Sequence, residues 1–327
     1  MSHCEFRSLI ADELERVEHL LHDTLTGGDF EQKVNALCQS VVSAGGKRTR
    51  PTLLLLCAYM LKDLNEDAEL KEKACLLAAT VELLHTATLV HDDVIDNSPK
   101  RRGQDTLNVI YGNHVAVLAG DYLFTRCFAL LQQLQSLKCI DIISRTVATL
   151  VTGEINQLER EGDLSLAESD YYHTIYCKTG ALFEMAACAF ALFIDAPEEQ
   201  IEALKTYGRE TGYAFQIADD ILDYTADSAT LGKDVGTDLT DGRVTLPVIL
   251  ALKNAQGEKL EALYQALENS DFAAVKAAIE ESDALNACQN EALNCTSRAI
   301  KALTTFPDSP FKEALITIAL KAAQRNH

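Results

Sequence analysis

The sequence predicts an all-α protein, and three observations carry this. Only 6 prolines occur in 327 residues, which leaves long stretches dominated by the strong helix formers Ala, Leu, Glu, Lys and Gln. Apolar residues make up 47% of the chain and recur at helical spacing, while runs alternating with period two are nearly absent. No heptad series, fixed-period repeat or linker-like change of composition breaks the pattern. The expectation is therefore one all-helical domain over residues 1–327, with a sizeable core.

The elements follow in order. Residues 4–23 carry Leu9, Ile10, Leu14, Val17, Leu20 and Leu21 on one side of an amphipathic helix, and residues 30–43 read as a second helix. Gly45-Gly46-Lys47-Arg48-Thr49-Arg50-Pro51 is a glycine turn and a basic cluster, closed by a proline suited to a helix start. A mostly apolar helix runs on to about 62, and a long one spans 67–96 until Asn97-Ser98-Pro99 stops it. Lys100-Arg101-Arg102-Gly103 is a basic loop. Core helices are expected over 114–135, 139–160 and 168–194, and Pro197 opens the next. Residues 226–244, with Gly232, Gly236 and Gly242, read as a loop long enough to act as a lid, and 245–325 as four or five shorter helices.

The net charge of −20 argues against general nucleic-acid binding, which needs a basic footprint. The 10 cysteines are scattered without paired spacing, several on apolar helical stretches, as expected of reduced thiols in the cytoplasm. No signal peptide is apparent, and the apolar run Leu53–Met60 is far short of a membrane span, so no transmembrane segment is expected.

Two copies of one acidic word dominate the chemistry. Asp92-Asp93-Val94-Ile95-Asp96 and Asp219-Asp220-Ile221-Leu222-Asp223 both read DDxxD on helical stretches. Residues four apart share a helix face, so Asp92 with Asp96, and Asp219 with Asp223, are expected side by side, where like charges repel. A solvated acidic face explains one such word readily. Two of them, flanked by Leu84, Leu89, Val90, Phe215 and Ile217, favour a cation between the carboxylates. Oxygen-only ligands suit hard ions, and Mg²⁺ usually takes one or two carboxylates plus phosphate oxygens. Cationic residues recur nearby: Lys47, Arg48 and Arg50, then Lys100, Arg101 and Arg102, then Lys178 beside Thr179, then Lys233 and Arg243. Singly each is an ordinary surface cation; together with two metal clamps they suit two diphosphates. His85 lies seven residues before Asp92 and Gln216 three before Asp219, each close to its motif's face, although a core histidine and a packing amide are the plain alternatives. No GxSxG, HExxH or Walker loop occurs, so the expected chemistry rests on metal and electrostatics.

GGKRTRP, LLHTATLVHDDVID, KRRG, YCKTGALFE, FQIADDILDY and LGKDVGTDLTDGRVTLP occur in an order and spacing that resembles the trans-isoprenyl diphosphate synthases, closest to the bacterial octaprenyl members. The resemblance runs from about residue 30 to the C-terminal helix. It implies a helical bundle around a large central cavity, a homodimer, and DDxxD motifs facing each other across the cavity mouth to hold about three Mg²⁺ ions. It further implies that Asp92, Asp96 and Asp219 are the direct metal ligands, and that Asp93, Asp220, Asp223 and Lys178 complete the catalytic set. Lys47, Arg50, His85 and Arg102 match positions that bind isopentenyl diphosphate, and Arg101, Lys178, Thr179, Gln216 and Lys233 match positions that bind the allylic diphosphate. Arg243 stands where the family usually has lysine, so its diphosphate role carries over only weakly.

The resemblance also implies sequential 1′-4 condensation of isopentenyl diphosphate onto an allylic diphosphate, with farnesyl diphosphate as primer and octaprenyl diphosphate for a quinone side chain as product. Ala87 and Thr88, one turn before Asp92, are small where short-chain members carry bulky aromatics, which suits a longer product; the plain alternative is close helix packing. Phe124, Phe128 and Leu131 are the candidate floor of the tunnel. A peripheral membrane contact for product release is expected. The competing readings are a farnesyl or geranylgeranyl synthase, a terpene cyclase, which needs no second anion pocket, and a regulatory subunit, which tends to lose one aspartate motif.

Overall fold

The computed structural model describes residues 6–225 and 236–324. Its elements are helices apart from one hairpin: α1 (Ala11–Asp23), α2 (Gln32–Ser43), α3 (Thr49–Leu61), α4 (Ala68–Ile95), β1 (Lys100–Arg101), β2 (Gln104–Asp105), α5 (Leu107–Tyr111), α6 (Asn113–Leu134), α7 (Leu137–Glu159), α8 (Glu168–Ile175), a π turn (Tyr176–Gly180), α9 (Ala181–Phe193) and α10 (Glu198–Thr225). From residue 236 onward come α11 (Thr237–Thr240), α12 (Leu246–Asn254), α13 (Glu258–Glu268), α14 (Phe272–Glu281), α15 (Ala284–Ala302), a 3₁₀ turn (Leu303–Thr305) and α16 (Pro310–Ala323). The fold is all-α, as the composition requires.

Two compact units emerge: residues 1–143, 185–204 and 305–315 in one, and residues 144–184, 205–304 and 316–327 in the other. In the first, α4 packs against α1, α3 and, most extensively, α6. Its core holds Leu53 to Ala58 of α3 and Ala74 to Val81 of α4, nearly all fully buried. In the second, α12 meets α15 and α14, and a cluster of Tyr171, Ile175, Ala214, Ile217, Leu246 and Ile249 forms its interior.

Local chemistry sets the ends of α4. The Asp67 side chain accepts from the Leu70 N–H at 2.9 Å and caps the start. At the other end Asn97 adopts φ 49°, the Ser98 N–H donates to Asp93 O at 3.0 Å and the Asn97 N–H to Val94 O at 3.4 Å. This Schellman arrangement, followed by Pro99, stops the helix just after Asp96. The first acidic motif therefore occupies the last turn of its helix, and the second lies within the last two turns of α10. Carboxylates are disfavoured at a helix C-terminus, which a bound cation would relieve.

The structure departs from the sequence expectation in four places. Lys100–Asp105 is a tight hairpin, not a loop, and its turn residues Arg102 and Gly103 have φ 54° and 77°. A π turn interrupts 168–194, and α11 lies inside the expected loop. By length and composition alone, three helices, 68–95, 113–134 and 168–193, are long and apolar enough to cross a membrane, against the sequence reading, which counted only unbroken apolar runs. Of the most apolar 18 residues of each, 78% are buried in the first and third and 39% in the second. All nine cysteines among the described residues are buried free thiols.

Candidate active site

In the first unit the glycine loop delivers one guanidinium to α4. Arg50 Nη1 lies 2.9 Å from His85 Nε2. Burial, with the charges of Arg50, Arg102, Arg101 and Arg48, holds the His85 imidazole well below its usual range, so the ring is neutral. Arg102, at the hairpin tip, lies across Gly46, its amino nitrogen 2.8 Å from where a Cβ would stand. Lys47 is exposed beside it. Arg48, read in the sequence as part of the same cluster, is instead buried in an ion network with Glu18 and Glu82.

The aspartates of the first motif are not equivalent. Asp93 is buried, and Arg101 Nε donates to its Oδ1 at 2.7 Å. Burial raises the Asp93 pKa, and the adjacent Arg101 opposes the rise. Asp92 and Asp96 stay half-buried on the face shared with His85. Ala87 is fully buried, while Thr88 is half-buried and donates to His85 O at 2.8 Å. Of the candidate floor residues, Phe128 is 62% exposed and so cannot close an internal tunnel within this chain; Leu131 is buried, and Phe124 lies against the His91 ring at 5.7 Å. A cavity of about 440 Å³ opens where Val41, Leu89, Asp93, Arg101, Arg102 and Ile110 meet.

In the second unit the π turn presents Lys178, exposed, and Thr179, buried. π turns inside α-helices often mark functional positions. This one lies tight against α10: a Cβ at Gly212 would stand 2.8 Å from Gly180 Cα, so only glycine permits the approach. A chain of hydrogen bonds follows. Thr179 Oγ1 donates to Gln216 Oε1 at 2.7 Å, Gln216 Nε2 donates to Asp220 Oδ1 at 2.9 Å, and Tyr171 Oη donates to Asp220 Oδ2 at 2.6 Å. Burial pushes Asp220 strongly up from the ordinary carboxylate range, with Asp238 adding to the rise. Lys178, Gln216, Asp220, Tyr171, Asp238 and Arg243 line a small cavity of about 60 Å³.

Asp223, expected to face a cation together with Asp219, is engaged by donors of the segment that follows. Asp223 is 3% exposed, and its carboxylate receives the Gly236 N–H at 3.2 Å, Thr237 Oγ1 at 3.3 Å and the Asp238 N–H at 3.3 Å. It anchors the start of α11. Asp219 remains half-buried. Arg243 faces Asp238 and Asp241 at 3.7 and 3.5 Å, which directs it toward carboxylates of its own segment. Lys233 lies outside the described residues.

No cluster of three His, Cys, Asp or Glu side chains among the described residues could hold a metal unaided. Asp92 with Asp96, and Asp219 separately, nevertheless fit the donor set of Mg²⁺, which takes few carboxylates and completes its shell with phosphate and water oxygens.

Residues 31–282 match the family described as Polyprenyl synthetase. The chain belongs to that family. It is 41% identical over 295 residues to the all-trans-nonaprenyl-diphosphate synthase (geranyl-diphosphate specific) of Rhodobacter capsulatus, covering 89% of each chain. It is 38% identical over 301 residues to the octaprenyl diphosphate synthase of Escherichia coli (strain K12), covering 90% of this chain and 91% of the relative. A crystal structure of a polyprenyl synthase from Caulobacter crescentus CB15, complexed with calcium and isoprenyl diphosphate, superposes with a TM-score of 0.89 at 35% identity, over 99% of this chain and 98% of that one. As a member of the polyprenyl synthetase family, the protein is a prenyltransferase.

Sequence reasoning did not single out Tyr171, Glu18, Glu82, Asp238 or Thr237. For Tyr171 a signal existed: it precedes Lys178 by seven residues, the spacing that pointed to His85 before Asp92.

Proposed function

We propose that the protein is a long-chain all-trans polyprenyl diphosphate synthase. It extends an allylic diphosphate, with farnesyl diphosphate as primer, by successive 1′-4 additions of isopentenyl diphosphate, and its product is octaprenyl diphosphate for a quinone side chain. The observation that carries this reading is that each acidic motif has cationic neighbours within its own unit, Arg101 and Arg102 by Asp93 in the first and Lys178 by Asp220 in the second. Lys47, Arg50 and Arg102, with neutral His85, suit the diphosphate of isopentenyl diphosphate. Arg101, Lys178, Thr179, Gln216 and Lys233 suit that of the allylic substrate. Relatives named for octaprenyl and nonaprenyl products support a long chain, as do the small Ala87 and Thr88.

Asp92, Asp96 and Asp219 would hold about three Mg²⁺ ions, which supply charge neutralisation of the departing allylic diphosphate. The chain's own groups do the rest. Arg50 and Lys47 hold isopentenyl diphosphate so that its double bond faces the allylic carbon. His85 contributes a neutral donor rather than a further cation. Apolar walls exclude the water that would quench an allylic cation. The proton lost after bond formation leaves to the departed diphosphate.

The exposed apolar side chains of α5 and α6, Leu118 at 65% and Phe128 at 62% among them, support a homodimer. We infer a cytoplasmic protein with a single catalytic domain and peripheral membrane contact for release of its product.

Incubation with farnesyl diphosphate, labelled isopentenyl diphosphate and Mg²⁺, followed by sizing of the products, tests the reading. A ladder accumulating at eight isoprene units is expected. No incorporation would reject the enzyme; a ladder stopping at the farnesyl or geranylgeranyl length would reject the long chain, and a cyclic hydrocarbon would indicate a cyclase.

A further inference from the structure

The glycine loop contains a cation that the proposed reaction does not use. Arg48 lies between Lys47 and Arg50 in sequence, yet it is only 6% exposed. Its backbone is left-handed, φ 46° and ψ 39°, a conformation disfavoured for a residue with a Cβ. Such an outlier persists only where the surroundings enforce it. Here the enforcement is visible. Arg48 Nε and Nη2 donate to the two carboxylate oxygens of Glu18 at 2.6 and 3.0 Å, Nη2 also donates to Val42 O at 3.0 Å, and Nη1 donates to Glu82 Oε1 at 3.0 Å. One side chain thus ties the loop to α1, to the end of α2 and to α4.

The tie to α4 is the informative one. Glu82 is buried and precedes His85 by three residues, one helical turn. The loop therefore meets α4 twice, through Arg48 at Glu82 and through Arg50 at His85, where the atoms lie 2.9 Å apart. The left-handed turn at Arg48 sends its side chain inward while Lys47 stays exposed and Arg50 half-buried.

We propose that Arg48 is a positioning residue for isopentenyl diphosphate: the Glu18–Arg48–Glu82 bridge holds the loop at the height on α4 where Arg50 and Lys47 can share one diphosphate with His85. It contacts no substrate and acts only through its neighbours. The inference rests on the diphosphate reading of Lys47, Arg50 and His85 given above.

The test uses the full-length protein. Removing Arg48 alone strands a buried carboxylate, so the informative variant replaces both buried partners with apolar side chains, Arg48→Met with Glu82→Met, an exchange often tolerated by a fold. This variant is expected to keep its circular dichroism and to raise the KM for isopentenyl diphosphate about tenfold or more, leaving the allylic KM within about twofold. Equal changes in both KM values, or none, would overturn the proposal. Glu18→Gln, which alters the half-exposed partner, guards against a folding failure and is expected to give the same split at about two- to fivefold; an unsplit response would likewise overturn it. Calorimetry with inorganic diphosphate without Mg²⁺ separates this proposal from the functional reading. Wild type without turnover would sink the reading, whereas equal diphosphate affinity in wild type and the double variant would sink the positioning role whatever the turnover.

Discussion

At the scale of residues, two DDxxD words that look alike hold aspartates of four kinds. Asp93 is paired to Arg101, Asp220 is held between Tyr171 and Gln216, and Asp223 fastens α11. Asp92, Asp96 and Asp219 are the half-buried remainder. Asp219→Asn is therefore expected to lower activity on the order of 100-fold or more with little change in stability. Asp223→Ala removes three accepted hydrogen bonds at a buried site and is expected to cost about 1–3 kcal/mol in urea unfolding. A stable Asp223→Ala protein, or an Asp219→Asn protein as active as wild type, would contradict this division. His85 gives a pH signature. Its folded pKa is depressed, so the fold keeps it neutral where the unfolded chain takes up a proton, below about pH 6.5. The unfolded state then binds more protons, and stability falls with pH below that point by up to about 1.4 kcal/mol per unit. His85→Gln is expected to flatten that part of the curve, as measured by urea unfolding at a series of pH values; an unchanged slope would rule out the assignment.

At the scale of elements, α4 carries the first acidic motif, the His85 contact and the expected ruler for chain length along one axis. Ala87 is fully buried, so Ala87→Tyr must displace neighbours, at a cost of about 1–3 kcal/mol, and is expected to shorten the product distribution. The half-buried Thr88→Phe is the gentler variant with the same expected direction. Product sizing decides the matter: unchanged lengths in a folded variant would remove the tunnel from this helix. On α10, Gly208 and Gly212 lie four apart, and a Cβ at either would fall within 3 Å of the backbone of α9 or of the π turn. That close approach brings Thr179 to Gln216 and lets Lys178 line the same cavity as Asp220.

At the scale of the whole molecule, the exposed apolar face of α6 bears on assembly. The apolar stretch of α6 is only 39% buried within the chain, although its composition suits an interior helix. Leu118→Glu is expected to convert a dimer into monomer in sedimentation velocity while leaving the helical circular dichroism intact. Wild type sedimenting as a monomer would sink the dimer assignment, and a dimeric variant would move the interface elsewhere.

The helices were legible in the sequence because helix formation is local. Apolar spacing, the Asp67 cap and the Asn97-Ser98-Pro99 stop act within a few residues, and the structure places α2, α4, α6, α7 and α10 close to their expected spans. The hairpin at Arg102 and the π turn at Lys178 were less legible, since φ > 0 at arginine and a shifted helical register have no strong compositional mark.

The acidic and basic motifs, and with them the family and its chemistry, were determined by the sequence alone, because metal and diphosphate chemistry needs particular side chains at short fixed spacings. Tertiary structure alone decided how those side chains divide their work. Arg48 turned inward while Lys47 stayed out, and Asp223 became an anchor while Asp219 stayed half-buried. Burial and partner choice depend on contacts such as Arg48 with Glu82, 34 residues apart, or Tyr171 with Asp220, 49 apart. No local pattern encodes such distances, and only the packed chain brings the partners within hydrogen-bonding range.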